Sequence, residues 1–347
     1  MKVKQLIISV IALAFLHTAA YGGSWVSGSV KNSFGSRDYK LWVSPGYRKE
    51  NAIPLVLMLH GCMQKAEDLA AASGMNALAD ENNFLVVYPE QIPTANPLSC
   101  WNWFDPKHQG RDAGEPALIA AVIEDLRSSY NVDAKRIYVV GISAGGAMAV
   151  VMAASYPELF AGLGVIAGEE YKAATTVEGG LASMKTGGPD PNQQGLLAYQ
   201  AMQKSLAGAK KRMPVIAFHG KKDPYLKPLN TDQLIAQWAQ TNDYLDDGKD
   251  NDSVSVQSPN ETKGAVPDGY SYTRGQYKDS NGRLLMEKWI VEGLGHAWPG
   301  SPTANQFADP KGPNASAEIW RFFGETNLDS SVSQGTSPTV KPKGGDE

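Results

Sequence analysis

The sequence predicts an α/β protein with one mostly parallel β-sheet flanked by helices. Its apolar residues fall into short continuous runs, which are typical of strands buried on both faces of a sheet. Helical stretches separate these runs along most of the chain, and this alternation favours parallel strands joined by helices. With 347 residues, 42% of them hydrophobic and 20% charged, the chain has enough apolar surface for a large core.

The first half of the chain opens with two strands, over residues 24–32 and 37–45, which we expect to form an antiparallel hairpin. Strands and helices then alternate, and one helix begins with Glu115 and Pro116, residues that suit a first turn. The elements predicted after the hairpin are a strand at 54–61, a helix at 66–82, a strand at 84–90, a helix at 115–130 and a strand at 136–141.

The second half of the chain continues this alternation, and Thr231 is placed to cap one of its helices. Two stretches interrupt the pattern. Residues 169–211 form either a lid or a loose excursion with a short helix, and residues 246–269 form a polar surface loop. The predicted elements are a helix at 144–155, strands at 161–168 and 213–220, a helix at 231–242, a strand at 284–293 and a helix at 315–325.

The N-terminus has the pattern of a secretory signal peptide, predicted over residues 1–23. Lys2 and Lys4 precede an apolar run that is too short to span a membrane, and small residues follow it. A buried first helix is the alternative, but the run has no amphipathic period. We therefore expect a secreted protein, extracellular or periplasmic, without membrane contact after cleavage. One folded domain is predicted over 24–326 and a disordered polar tail over 327–347.

Charge and cysteine content narrow the classes of partner and site. The net charge of −4, without a basic run, argues against a nucleic-acid partner. The two cysteines, Cys62 and Cys100, are expected to form one disulfide in an oxidising compartment, the alternative being two buried free thiols. Because they lie far apart along the chain, they predict no metal site.

A serine between glycines is the strongest local signal. Gly141-Ile142-Ser143-Ala144-Gly145 matches G-x-S-x-G and lies between a predicted strand and a predicted helix, which is the context that this motif requires. A sharp strand-to-helix turn lifts the serine hydroxyl out of the sheet, and small neighbours let the helix pack closely. We predict that Ser143 is a nucleophile; the alternative is a bystander serine in a glycine-rich turn.

A serine nucleophile needs a base and an acid that orients the base. In the chain order that accompanies this motif, the acid and then the histidine follow the serine. His296 lies in a glycine-flanked loop after a predicted late strand, and Asp223 follows the buried strand that contains His219. We predict Asp223 as the acid and His296 as the general acid and base, with His219 structural. Asp232 and Asp243 are competing acids at helical positions.

Two backbone N–H groups are expected to stabilise the oxyanion of a tetrahedral intermediate. The motif places one on Ala144, directly after the serine. The other belongs to the loop after the third strand, where we favour Cys62 over Met63. His60, just before this loop, is interpreted as a core residue, the alternative being a brace for the loop.

Aromatic residues cluster near the predicted site. Because the Cys62–Cys100 disulfide would draw Trp101 toward the oxyanion loop, and because Trp298 follows His296 closely, Trp101 and Trp298 are predicted to line a substrate cleft. Trp103 and Phe104 fit a cleft wall and ordinary core packing equally well.

Seven stretches together resemble the secreted poly(3-hydroxybutyrate) depolymerase family, the short-chain-length polyhydroxyalkanoate depolymerases with an α/β-hydrolase catalytic domain. The resemblance extends from about residue 40 to residue 323 and implies hydrolysis of ester bonds in a solid or oligomeric hydroxyalkanoate polyester. It matches the family's nucleophile to Ser143, its acid to Asp223, its base to His296 and its oxyanion cysteine to Cys62. The stretches are PLVLMLHGCMQ, MNALADENNFLVVYPEQ, NPLSCWNWFDP, GEPALIAAVIEDL, IYVVGISAGGAMAVVMAASYPELFAGLGVIAG, FHGKKDPYLKPLN and WIVEGLGHAWPG.

The resemblance leaves the substrate open. Many members of that family carry a separate polymer-binding domain, and none is predicted here after residue 327, so exposed apolar residues would have to adsorb a polymer, or the substrate is soluble. The same broad group includes feruloyl and acetylxylan esterases, and these or a general carboxylesterase are the alternative. A non-catalytic binding protein is a third hypothesis, against which Ser143, Asp223 and His296 argue together. No cofactor is expected, and we expect a monomer.

Overall fold

A ten-stranded β-sheet organises the fold within residues 22–257 and 260–332, which are the residues that the computed structural model describes. The strands lie in the order β1-β2-β4-β3-β5-β6-β7-β10-β9-β8. They are β1 (Ser24–Asn32), β2 (Gly35–Val43), β3 (Ile53–Leu59), β4 (Leu85–Pro89), β5 (Val132–Ile142), β6 (Gly162–Ile166), β7 (Val215–Gly220), β8 (Asn260–Ala265), β9 (Ser271–Lys278) and β10 (Leu284–Val291).

The six central strands, from β4 to β10, are parallel, and antiparallel strands complete both edges. Helices cover both faces of this sheet. They are α1 (Ala66–Ser73), α2 (Met75–Asn82), α3 (Gly114–Ser129), α4 (Ala144–Ser155), α5 (Val177–Thr186), α6 (Pro191–Leu206), α7 (Leu229–Asp247) and α8 (Ala315–Val332). The predicted α/β fold, with its parallel sheet and N-terminal antiparallel hairpin, is confirmed.

Burial on both faces explains why the central strands are apolar at consecutive positions. Every residue of β3, β4, β6 and β7 is buried. One core cluster packs α3, α4, α6 and α7 against one face of the sheet. A second cluster packs α1, α2 and α8 against the other face. The alternation of strands and helices in the sequence therefore corresponds to a sheet between two helical layers.

Strand register brings the loops that carry the candidate residues to one edge of the sheet. Leu59 of β3 pairs with Gly141 of β5, and Gly220 of β7 pairs with Val291 of β10, so neighbouring strands end at similar heights. The chain adds β4 on one side of β3 and then crosses to the other side to add β5 and β6, so the order of the strands changes direction between β3 and β5. Ligand sites of open α/β sheets form at such a switch point, at the carboxyl ends of the strands.

Several element boundaries differ from the prediction. The helix predicted over 66–82 is two helices, because Gly74 adopts φ 63° and ends the first one. Thr231 is not an N-cap: α7 begins earlier, after Pro228, and Thr231 lies in its first turn. Strands β8 and β9 were not predicted, and β8 lies within the stretch interpreted as a surface loop.

The stretch at residues 169–211 and the last helix also differ from the prediction. Residues 169–211 contain two helices, α5 and α6, rather than one short helix. The last helix continues to Val332, six residues into the tail predicted over 327–347, and residues 333–347 lie outside the described residues. The predicted signal peptide also lies outside them, apart from Gly22 and Gly23. None of the described helices is both long and apolar enough to cross a bilayer.

Two glycines in helices provide a matched test of how closely α4 approaches the sheet. A Cβ atom on Gly145 would lie 2.1 Å from the carbonyl oxygen of Leu59 and 2.4 Å from that of His60, and neither backbone can move freely. We expect Gly145→Ala to lower the free energy of unfolding by about 3 kcal/mol or more. Gly324 in α8 has open space around it, and Gly324→Ala should raise this free energy by about 0.5–1 kcal/mol. Urea denaturation of both variants measures the difference, and equal effects would contradict the close approach.

Candidate active site

Ser143 lies on a strained turn between β5 and α4. Its backbone adopts φ 58° and ψ −126°, in the left-handed half of conformational space that a residue with a side chain rarely occupies. Its N–H donates to the carbonyl of Ile166 on β6 at 2.9 Å. A Cβ atom on Gly141 would lie 2.1 Å from the carbonyl oxygen of Gly145, so the turn can close only around glycine at position 141. This is the geometry that the G-x-S-x-G motif predicts.

Asp223 and His296 are brought together from loops after β7 and β10. Nδ1 of His296 donates to Oδ2 of Asp223 at 2.6 Å, and both side chains are buried. The other carboxylate oxygen, Oδ1, accepts the backbone N–H groups of Tyr225 and Leu226 at 2.8 and 2.9 Å. The Tyr225 ring lies edge-on to the imidazole, with 5.5 Å between the ring centroids.

The environment of Asp223 favours its charged form. Burial opposes ionisation, but hydrogen bonds from His219, His296 and Leu226 together outweigh that effect and hold the pKa of the Asp223 carboxyl well below its ordinary range. The carboxylate therefore stays charged wherever the protein is folded and the histidine functions.

The loop after β3 is fixed by contacts on both sides of Cys62. Gly61 donates its N–H to the side-chain oxygen of Gln64 at 2.8 Å, and Met63 donates its N–H to the carbonyl of Leu98 at 2.7 Å. Within the described part of the chain, no acceptor is found for the N–H of Cys62. Since Ala144 is the first residue of α4, its N–H has no partner inside the helix either. Both predicted oxyanion donors are therefore available, and the competing Met63 is engaged.

The predicted disulfide between Cys62 and Cys100 is present and ties this loop to the segment before α3. His60 braces the loop from below: its Nδ1–H donates to the carbonyl of Gly61 at 2.8 Å, and its Nε2 accepts the N–H of Gln91 at 3.0 Å. Burial lowers the pKa of His60 to about 4, so its ring stays neutral and keeps this arrangement. Gln91 also donates to Glu115, which extends the buried network to α3.

Ser143 and His296 line one cavity of about 320 Å³ at this edge of the sheet. The loop after β3 forms one wall, and α5 forms the opposite wall through Val177, Gly180 and Leu181. No aspartate, glutamate, lysine or arginine lines the cavity among the described residues. Ser143, the oriented imidazole of His296 and Cys62 of the loop after β3 thus line the same largely apolar opening.

Comparison with known proteins places the chain in a family. The family model described as "Esterase PHB depolymerase" matches residues 37–257. The chain belongs to this family. It is 34% identical over 280 residues to poly(3-hydroxyalkanoate) depolymerase C of Paucimonas lemoignei, a match that covers 78% of this chain and 63% of that protein. The resemblance stated from the sequence is confirmed.

Another relative of the chain is named for a different substrate. Acetylxylan esterase A of Talaromyces purpureogenus is 30% identical over 254 residues, which cover 71% of this chain and 60% of that protein. The chain thus matches less than two thirds of the length of each of these curated relatives. Among solved structures, an acetyl xylan esterase from Aspergillus awamori has the same fold, with a TM-score of 0.65 at 20% identity over 86% of this chain and 99% of that one.

The structure corrects one part of the predicted site. Trp101 and Trp298 have no exposed surface, and neither lines the cavity. Trp101 packs against His60 in the core, and the Trp298 indole donates to Ser316 of α8 at 3.2 Å on the other side of the sheet. The wall of the cavity is formed instead by Trp103 and Phe104, for which the sequence left both interpretations open.

Two buried glutamates precede α5 in the chain, and sequence reasoning did not single them out. Ser183 of α5 donates to Glu169 at 2.6 Å, and both oxygens of Glu170 are buried without a hydrogen-bond partner among the described residues. Burial raises the pKa of Glu169 to about 8. Burial and repulsion from Glu169 and Asp190 raise the pKa of Glu170 to about 8 as well. No sequence signal marks this pair, because burial of a carboxyl is a tertiary effect.

The raised pKa of Glu170 predicts a pH-dependent stability effect. The unfolded chain releases this proton near pH 4.5 and the folded chain only near pH 8, so Glu170 costs stability increasingly as pH rises between these values. We expect Glu170→Gln to raise the free energy of unfolding by about 3 kcal/mol at pH 7, from about 1.4 kcal/mol per pH unit, and to leave it unchanged at pH 4. Urea denaturation at both pH values measures this. The control, Glu178→Gln at an exposed position of α5, should show no such dependence; a stabilisation of Glu170→Gln that is equal at both pH values would contradict the assignment.

Proposed function

We propose that this protein is a serine esterase that hydrolyses ester bonds of poly(3-hydroxybutyrate)-type polyesters or their oligomers. The observation that carries the proposal is the 2.6 Å hydrogen bond from His296 to Asp223, because His296 lines the same cavity as Ser143 on its strained turn. Membership of the esterase family supports it independently. Ser143 is the nucleophile, His296 the general acid and base, and Asp223 the carboxylate that orients the imidazole.

The proposed reaction passes through an acyl-enzyme. Oγ of Ser143 attacks the ester carbonyl carbon while Nε2 of His296 takes the hydroxyl proton, and the N–H groups of Cys62 and Ala144 stabilise the oxyanion. The intermediate collapses when the carbon–oxygen bond to the leaving alcohol breaks, and His296 returns the proton to that oxygen. Water then attacks the acyl-enzyme in the same way and restores Ser143. Activity falls as pH falls, because a protonated imidazole accepts no proton.

The surface around the cavity supports a polyester substrate. Five large apolar side chains that line the cavity are also strongly exposed, between 49% and 61% of their surface. They are Met63, Leu98, Val177, Leu181 and Tyr225. Exposed apolar side chains gathered at one opening favour contact with an apolar solid. We call these five residues the apolar rim.

A second candidate function is removal of acetyl or feruloyl groups from plant polysaccharides. The relative named acetylxylan esterase A supports it, since both functions need the same chemistry at Ser143. A polysaccharide would place polar sugar rings against the rim, where the structure offers few polar side chains. Clearing of a poly(3-hydroxybutyrate) suspension, compared with acetate release from acetylated xylan by the same preparation, decides between the two.

Removal of the Ser143 hydroxyl tests the reaction itself. Ser143→Ala should lower the rate of ester hydrolysis by at least about 10³-fold, because no nucleophile remains at the turn. Hydrolysis of a soluble p-nitrophenyl ester measures the loss. Ser128→Ala, which removes an exposed serine of α3, is the control and should retain full activity. Unchanged turnover in Ser143→Ala would mean that the reaction occurs elsewhere.

Polar substitution in the rim tests the substrate. The double variant Leu98→Ser with Leu181→Ser should hydrolyse polymer particles about tenfold more slowly, because about 25 cal/mol of adsorption energy is lost per Å² of apolar contact. Its turnover of a soluble ester should stay within about twofold, since chemistry at Ser143 is unaffected. Leu197→Ser, at an exposed leucine of α6 outside the cavity, is the control. Equal loss on polymer and soluble ester would argue against a docking role for the rim.

A further inference from the structure

A second buried histidine lies beside the carboxylate that orients His296. His219, on β7, has no exposed surface, and its Nε2 lies 3.5 Å from Oδ2 of Asp223. The same oxygen accepts the 2.6 Å hydrogen bond from His296. Two imidazoles thus approach one carboxylate oxygen, and the proposed mechanism uses only one of them.

The hydrogen bonds of His219 determine which ring nitrogen carries the proton. Its Nε2 lies 2.9 Å from the carbonyl oxygen of Leu226. A carbonyl only accepts, so Nε2 must carry the proton and donate it. Nδ1 then accepts the hydroxyl proton of Thr231, at 2.6 Å. The Nε2–H dipole therefore points toward Leu226 and has Oδ2 of Asp223 beside it.

His219 acts on Asp223 by two routes. Directly, its Nε2–H stabilises the negative charge on Oδ2 and contributes to the depressed pKa of the carboxyl. Indirectly, it binds the carbonyl of Leu226, whose own N–H donates to Oδ1 of Asp223 at 2.9 Å. His219 therefore fixes the Leu226 end of the turn at residues 223–226 through a hydrogen bond. At the Asp223 end of the same turn, it polarises the carboxylate.

The other titratable groups around this turn face away from the carboxylate or bind elsewhere. The two lysines among them that form ion pairs bind other carboxylates, and the phenol ring of Tyr225 lies against His296. The pairs are Lys221 with Glu292 and Lys288 with Asp232; the remaining charged side chains nearby are Lys222 and Lys227, both exposed. Among the groups near Asp223, only His219 and His296 contribute side-chain hydrogen bonds that lower its pKa.

We propose that His219 is a positioning residue of the active site, which shares Oδ2 of Asp223 with His296 and thereby limits how strongly His296 holds its proton. The proposal rests on the proposed function, because it assigns Asp223 and His296 their roles. A donor on Oδ2 withdraws negative charge from the side that faces His296. Without that donor, the carboxylate attracts the protonated imidazole more strongly.

Three variants separate this role from a purely structural one. His219→Gln keeps an amide N–H near the position of Nε2, whereas His219→Asn is too short to place one beside Asp223. Thr231→Val removes the hydroxyl that binds Nδ1 but leaves the Nε2–H donor in place. The measurements are the acid limb of the pH profile of kcat/KM on a soluble ester, the low-field proton resonance of the His296–Asp223 hydrogen bond, and the melting temperature.

We expect the acid limb of the kcat/KM profile of His219→Asn to move to higher pH by about half a unit. At pH values below the midpoint of this limb, that shift is about a threefold loss of activity. The low-field proton resonance of the His296–Asp223 hydrogen bond should shift as well. His219→Gln and Thr231→Val should keep the wild-type limb, even where their melting temperatures fall. If His219→Asn does not fold, His219→Met provides the variant without a donor. An unmoved limb in the donor-less variant, or equal movement in all three, overturns the proposal. Activity that survives in Ser143→Ala would instead refute the proposed function. The proton resonance needs no turnover, so it tests the role of His219 even if the proposed function fails.

Discussion

The close approach of α4 to the sheet is the constraint on which the site depends. The helix begins so near β3 that position 145 has no space for a Cβ atom beside the carbonyls of Leu59 and His60. That contact forces Ser143 into its positive-φ conformation, and it also fixes the distance between the serine and the loop that begins at Gly61. Backbone packing therefore brings the turn at Ser143 close to the loop after β3, where a Cβ atom on Gly61 would lie 3.3 Å from Cβ of Ser143.

Two buried histidines near strand ends each bind the backbone of the loop that follows their strand. His60 follows β3 and donates to the carbonyl of Gly61, and His219 near the end of β7 donates to the carbonyl of Leu226. Each accepts a hydrogen bond at its second ring nitrogen, so each ring is held at both ends. Rigid buried rings thus support loops that carry the reacting groups, which is how an irregular segment achieves a defined geometry.

The sequence predicted most of the fold and most of the candidate site because the signals involved are local. Strands buried on both faces are apolar throughout, and the turn at Ser143 requires small neighbours within four residues. Asp223 and His296 followed from chain order. Trp101 and Trp298 were misplaced because side-chain direction at a loop residue depends on what packs behind it, here His60 and Ser316. Strands β8 and β9, at one edge of the sheet, were missed because exposed strands such as β8 carry polar residues and resemble loops.

The chain has only two cysteines, and both belong to the loop system that presents the candidate oxyanion donor. The single covalent cross-link therefore joins this candidate loop to the segment before α3, and both cysteines pack against the core cluster on that face of the sheet. Both cysteines line the cavity, so part of its wall consists of an oxidised thiol pair. In a compartment that keeps these thiols reduced, hydrogen bonds and packing alone would hold the loop beside the cavity.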